Sequence, residues 1–174
     1  VTELRTPRLR LGPLGDEHAG GSYLRWMNDP EVMRWLEARG RAYAADDLRD
    51  FIQAQNANPL VHLFGMFLNE DGRHIGNIKI GPVDAKHRRG DIGLLIGDRP
   101  SWGKGFAREA IAAIAEYGLG PLRLHKMTAG CYAGNEGSRR AFLAAGFVQE
   151  AVRRSHFWTG EAWDDEYLFA RMAA

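Results

Sequence analysis

The chain has 174 residues, which suits one domain, residues 1–174, with a sizeable core. With 45% hydrophobic and 26% charged residues it has the mix of a soluble globular protein, and its net charge of +1 announces neither nucleic acid nor an anionic membrane as a partner. Its one cysteine, Cys131, excludes an internal disulfide and a thiolate metal site. No apolar run is long enough to span a bilayer, and the arginines at 5, 8 and 10 have no apolar stretch behind them, so residues 1–12 do not read as a signal peptide. The expected location is cytoplasmic.

In chain order, residues 8–11 alternate polar and apolar and read as a first strand, ended by Gly12, Pro13 and Gly15. Residues 16–27 and 30–39 read as two short helices, the second with Asp29 as N-cap and Pro30 at its first position. Residues 46–57 form a third amphipathic helix. The period then changes to two. Residues 61–68, a turn at 69–72, residues 74–83, a basic connection and residues 91–96 predict an antiparallel meander. A helix follows from Phe106, stopped by Gly118 and Gly120-Pro121. A strand over 122–132, a helix over 135–145 capped by Gly146, and a hairpin of 147–158 with 162–171 complete the chain. The alternation predicts an α/β or α+β domain with about seven strands.

The stretch from Asp91 to Ala110 concentrates the chemistry. A buried strand enters a glycine-rich turn that opens an amphipathic helix. The first N–H groups of such a helix have no internal acceptor and carry partial positive charge. Gly103 and Gly105 remove side chains, so an anion can approach the backbone, and Lys104 adds a charge. Neither the G-x-G-x-x-G nor the G-x-x-x-x-G-K-[ST] fingerprint is present.

Trp102-Gly103-Lys104-Gly105-Phe106-Ala107, then Asn135-Glu-Gly-Ser138, then a helix ending in Gly146-Phe147, resemble the GNAT acetyltransferase superfamily. Its phosphate motif is Gln/Arg-x-x-Gly-x-Gly/Ala; Trp102 stands in the first position, while Gly105 and Ala107 match. The resemblance covers nearly the whole chain and points to the branch holding Rim-type protein acetyltransferases and amino-sugar acetyltransferases. It implies the GNAT fold: a mixed central sheet with helices on both faces, and an antiparallel meander followed by a strand–helix–strand crossover. It also implies acetyl-coenzyme A as co-substrate, no metal, and direct transfer to an amine in a ternary complex. In that family the strand before the cradle splays from its neighbour. Backbone groups around Leu94, Leu95 and Ile96 would then hold the pantetheine arm, while Asn135 and Ser138 would face the cofactor.

The chemistry needs a proton acceptor, an oxyanion donor and an acid for the leaving thiolate. Many relatives place a tyrosine acid where this chain has Phe142. Ser138 and Tyr132 are therefore the candidate donors, and Asp91, His74 and Glu136 the candidate bases, with Asp91 favoured by its place at the start of the cleft strand. The acceptor pocket is expected between the first two helices and the final hairpin, lined by Tyr23, Trp26, Asn28 and Trp35 with Arg34, Arg39 and Arg41 nearby. Three arginines suit a phosphorylated acceptor. Residues 26–32, 74–82 and 124–135 look most like acetyltransferases of nucleotide-linked amino sugars; a peptide N-terminus is the alternative acceptor, and a non-catalytic acyl-coenzyme A sensor is a third reading. Relatives often form homodimers through late strands, and the terminal hairpin here carries no pattern that decides it.

Overall fold

A computed structural model describes residues 2–173. Its framework is an eight-stranded mixed sheet in the order β1-β2-β3-β4-β5-β6-β8-β7. The strands are β1 Leu4–Arg5, β2 Leu9–Gly12, β3 His62–Leu68, β4 His74–Ile80, β5 Arg89–Ile96, β6 Lys126–Tyr132, β7 Val148–Trp158 and β8 Trp163–Met172. The two-residue edge strand β1, paired to β2 at Leu4↔Leu11, raises the expected seven to eight. Five α-helices accompany them: α1 Gly21–Met27, α2 Pro30–Met33, α3 Ala45–Ala57, α4 Phe106–Leu119 and α5 Glu136–Ala144. Among the described residues no helix is long and apolar enough to cross a membrane.

The middle of the sheet is covered on both faces, while β7 at its edge is largely exposed. Ile78, Ile80, Ile92, Met127, Ala129 and Phe169 pack against Ile111 and Ile114 of α4 and Phe142 of α5. On the opposite face Phe67 packs against Tyr23, Trp26 and Met27 of α1, Val32 and Met33 of α2, and Leu48 and Ile52 of α3. The amphipathic spacing of α3 and α4 is what lets each cover one face.

Two helices are shorter than their spacing predicts. The expected helix over 16–27 breaks at Gly20-Gly21, where Gly21 takes φ +58°; a 3-10 turn at Asp16–His18 precedes the break. The expected helix over 30–39 ends at Met33, and the chain continues in tight turns, Leu36 N–H to the Met33 carbonyl and Arg39 N–H to that of Leu36. Tertiary anchors account for this second ending. The Arg39 guanidinium reaches the Trp158 carbonyl at 2.6 Å, and Asn28 holds both backbone groups of Tyr43.

Candidate active site

The site begins where the sheet fails to close. The meander β3–β4–β5 is antiparallel, with β5 paired to β4 from Ile92 to Ile96. On its other side β5 runs parallel to β6, but only at Arg89↔Lys126, Gly90↔Met127 and Asp91↔Thr128. Beyond Asp91 the strands diverge, so the β6-facing side of Ile92 to Ile96 has no strand partner, while β6 stays paired to β8 along its other edge from Lys126 to Tyr132. Unpaired strand edges next to a buried wedge are a template for an extended ligand. Leu94, Leu95 and Ile96 lie along this wedge.

At its far end the chain forms the glycine-rich turn. The Trp102 indole N–H donates to the Ile96 carbonyl at 2.7 Å, tying the turn to the end of β5. Gly105 caps α4 in the left-handed region, φ +82°, a conformation that favours glycine. The N–H groups of Gly103, Lys104, Gly105, Phe106, Ala107 and Arg108 donate to nothing among the described residues; the first internal bond of α4 runs from Glu109 N–H to the Gly105 carbonyl at 3.1 Å. Six consecutive free donors at a helix N-terminus are an arrangement that can hold an anion. A Cβ on Gly103 would meet nothing within 4 Å, so the approach is open. Arg8 braces the turn from behind: its guanidinium donates to the Lys104 carbonyl at 2.9 Å and to Glu109 at 2.7 Å, and lies 4.5 Å from the Phe106 ring centre. Nothing in the glycine spacing points to Arg8; only the tertiary pairing of β2 with the first turn of α4 brings it there.

On the opposite wall, α5 opens at Asn135, whose side-chain oxygen accepts from Ser138 N–H at 3.1 Å. The capping oxygen is thus committed to the helix, and the amide nitrogen is the part of Asn135 left for a ligand. The Ser138 hydroxyl lies beside Cys131 and lowers the pKa of that thiol. Burial has the larger, opposite effect and pushes the thiol up to about 11, so Cys131 is no nucleophile at neutral pH. Phe142 is fully buried, stacked on Phe169 at 5.6 Å and edge-on to Phe147 at 5.4 Å. It serves the core of the α4–α5 layer and offers no proton.

Asp91 marks the base of the wedge. Thr128 donates to its carboxylate at 2.8 Å. The residue is exposed, yet lost hydration of its carboxylate raises its pKa; the Thr128 bond opposes the shift and nearby Glu166 adds to it. Tyr132 is buried and stacked on Phe157 at 4.1 Å, and its hydroxyl is occupied: it donates to Glu37 and accepts from Arg39 at 2.5 Å. Burial and Glu37 raise its pKa. His74 lies in an aromatic box on β4, and Glu136 pairs with Arg139 and Arg140 on α5. The three candidate bases therefore sit in three different places.

A cavity of about 470 Å³ opens on the α1–α3 face of β5. Gly93, Leu95, Asn77 and Lys79 form its floor, and Tyr23, Leu36, Glu37, Arg41, Tyr43, Asp47 and Phe51 its walls. The expected lining differs in part. Trp26 is buried beneath Gly97 and belongs to the core. Asn28 holds the loop carrying Tyr43 rather than facing the cavity. Trp35 packs over Gly134 and Tyr132, with the exposed Arg34 guanidinium 4.7 Å from its ring. The final hairpin contributes no lining residue; Trp158 and Trp163 pack on each other at 5.5 Å. Nor do the three arginines converge, since Arg39 is spent on Tyr132 and Trp158, and Arg41 pairs with Asp47 at 3.4 Å. The contribution of α3 and the polar pair Asn77 and Lys79 were missed. Their signal was available: two polar residues, two apart, on one face of a strand whose other face is apolar Ile78 and Ile80.

A family model described as acetyltransferase (GNAT) domain matches residues 8–148. The chain belongs to this family. It is an acetyl-coenzyme A-dependent N-acetyltransferase. An uncharacterized N-acetyltransferase, p20, from Bacillus licheniformis is 29% identical over 170 residues, covering 96% of this chain and 94% of that protein. Two solved structures share the fold. One is spermidine N-acetyltransferase from Vibrio cholerae in complex with CoA and spermine, with a TM-score of 0.84 at 20% identity over 96% of both chains. The other is the ribosomal-protein-S5-alanine acetyltransferase from Vibrio fischeri, with a TM-score of 0.84 at 16% identity over 99% of this chain and 97% of that one.

Proposed function

We propose that residues 1–174 act as one catalytic domain that acetylates the primary amine of a small acceptor, most fittingly an amino sugar. The observation that carries this reading is the juxtaposition on β5. One edge of 92–96 faces the open wedge that leads to the anion cradle, and one face of the same segment, Gly93 and Leu95, floors the cavity. A thioester in the wedge and an amine in the cavity would meet across a single strand. The relatives solved with CoA support this use of the fold.

Acetyl-coenzyme A supplies an activated thioester. The free N–H groups of 103–108 bind its pyrophosphate, with Trp102, Gly103, Lys104, Gly105, Phe106 and Ala107 shaping the cradle. Leu94, Leu95 and Ile96 present backbone to the pantetheine arm, and Asn135 contributes its free amide nitrogen. Ser138 donates a hydrogen bond toward the leaving sulfur, because Phe142 has none to offer. Asp91, with its raised pKa, accepts the proton of the attacking amine through water. Tyr132 holds the Glu37–Arg39 wall in place rather than donating a proton.

The aromatic walls Tyr23, Tyr43 and Phe51 and the polar floor suit a sugar-sized, amphipathic acceptor. The dispersed arginines do not supply a common phosphate clamp, so the nucleotide part of the acceptor has no support from this geometry. A peptide N-terminus is the second reading. It is favoured by the exposed Glu37 carboxylate in the wall and by the likeness to a ribosomal-protein acetyltransferase. Isothermal titration with acetyl-coenzyme A, followed by thiol release against amino sugars and peptides, tests the proposal. Absence of binding, or equal binding by Gly105→Glu, refutes the cradle. Undiminished turnover by Ser138→Ala removes Ser138 from the mechanism.

A further inference from the structure

A buried polar chain borders the cavity, outside the roles assigned above. His74 and Asn77 lie on β4 and Tyr23 on α1. The His74 ring is stacked on Phe67 at 4.9 Å and edge-on to Trp26 at 4.9 Å and His18 at 5.6 Å. Burial lowers its pKa and so favours the neutral ring. Its Nε2 lies 3.0 Å from the Gly76 carbonyl and 2.8 Å from Asn77 Oδ1. A carbonyl only accepts, so Nε2 carries the hydrogen, and the Asn77 atom facing it must be oxygen. That orientation sends Asn77 Nδ2 the other way. Asn77 is 7% exposed, and Nδ2 is a buried donor without a hydrogen-bond partner. Native proteins rarely leave such a group unpaired without reason.

Asn77 and Tyr23 line the same cavity, and no hydrogen bond joins them in this structure. Burial pushes the Tyr23 pKa up to about 12, and the Asn77 amide pulls against that shift without a well-formed bond. Tyr23 lines the cavity with Asn77, and its hydroxyl donates to nothing among the described residues. A phenol oxygen that accepts from Asn77 has its own hydrogen free to point into the cavity.

We infer that Tyr23 reads the acceptor by donating to an oxygen carried beside the attacking amine, with Asn77 and His74 as positioning residues. The completed chain runs His74 Nε2–H to Asn77 Oδ1, Asn77 Nδ2–H to Tyr23 Oη, and Tyr23 O–H to the ligand oxygen. Each donor of this chain then has an acceptor, and the last link forms only when such an oxygen is present. Tyr23 stays protonated and is no base. The inference rests on the N-acetyltransferase reading and adds a substrate class. The acceptor is an amine bearing a hydroxyl or carbonyl oxygen, as in an aminoacyl group or an amino sugar, in preference to a polyamine, whose ammonium groups only donate.

The test compares wild type, Tyr23→Phe and Asn77→Leu on two matched pairs: D-glucosamine with cyclohexylamine, and L-alaninamide with sec-butylamine. Thiol release gives kcat/KM, and saturation-transfer NMR with coenzyme A present gives binding. The quantity read is the ratio within each pair, and its change between proteins cancels the amines' different basicities. Tyr23→Phe is expected to lower the ratio about tenfold, chiefly through KM, as loss of one hydrogen bond from a site built for it. Asn77→Leu is expected to lower it in the same direction but less, because the hydroxyl remains while its orientation is lost. Thermal midpoints and coenzyme A affinity establish that both variants are folded. A ratio that Tyr23→Phe leaves within about twofold in both assays overturns the inference. So does an absence of any pair difference in wild type, including no binding by all four amines. Failure of the enzymatic reading looks different: coenzyme A binds but no amine releases thiol, and the NMR comparison still decides the role of Tyr23.

Discussion

Gly97 and Gly105 flank the turn between β5 and α4, and alanine at each should act through a different physical term. At Gly105 a Cβ would first meet Arg8 Nη2 at 3.5 Å, an ordinary contact. The cost there is conformational, because φ is +82°, and amounts to about 1–2 kcal/mol. At Gly97 the Cβ would stand 2.0 Å from Trp26 Cδ2 and 2.3 Å from Cγ. The indole is buried and packed against His74, so it cannot yield, and the overpacking costs roughly 3 kcal/mol or more. In a domain of this size each kcal/mol lowers the thermal midpoint by roughly 2–4 °C. Gly105→Ala should therefore lose a few degrees and Gly97→Ala about twice as much or more, or fail to fold. Acetyl-coenzyme A affinity should separate the two further. Gly105→Ala should weaken it on the order of tenfold, because the left-handed cap aims the free N–H groups. Scanning calorimetry and isothermal titration read both quantities. Equal destabilisation by the two substitutions, or unchanged affinity in folded Gly105→Ala, would show the reasoning to be wrong.

Three further outcomes follow from the ionisable groups. Burial alone would raise the Glu109 pKa, but bonds from the Thr6 hydroxyl and from the Arg8 N–H and guanidinium outweigh it and hold the group low. Glu109→Gln should cost about 1–2 kcal/mol at pH 7, discounted for the half-exposed Arg8, with the gap to wild type closing in urea titrations below the usual 4.5. Asp91 has the opposite sign. Its raised pKa means that the protonated form favours folding, a contribution present below 3.8 and lost as pH rises. Asp91→Asn should match or exceed wild-type stability at pH 7, lose that advantage below pH 3.8, and lower kcat. Cys131, with its thiol pushed up to about 11, should resist thiol reagents at pH 8 in the folded protein, and Cys131→Ala should retain acetyl transfer; prompt labelling or lost turnover would contradict the buried assignment.

The β5–turn–α4 unit was readable because its signals are local. Strand alternation, two glycines and an amphipathic run lie within twenty residues, and each constrains only its neighbours' backbone. The hairpin of β7 and β8 was readable for the same reason. The helix expected over 30–39 failed because its end is set by Arg39 and Tyr43 reaching distant partners, against which intrinsic propensity is a weak term. Trp26 and Trp35 were expected at the pocket because aromatic spacing cannot distinguish a wall from a core. The packing of Trp26 under Gly97 and Trp35 over Gly134 made that distinction.

The family, the order of most elements and the glycine-rich turn before α4 were set by the sequence alone, since these depend on backbone conformation and short-range pattern. Tertiary structure decided where β5 leaves β6, which side chains line the cavity, and that Arg8 braces the turn. Those are contacts between residues dozens of positions apart or on different elements. Burial and hydrogen-bond direction, which set their chemistry, exist only once the sheet has brought them together.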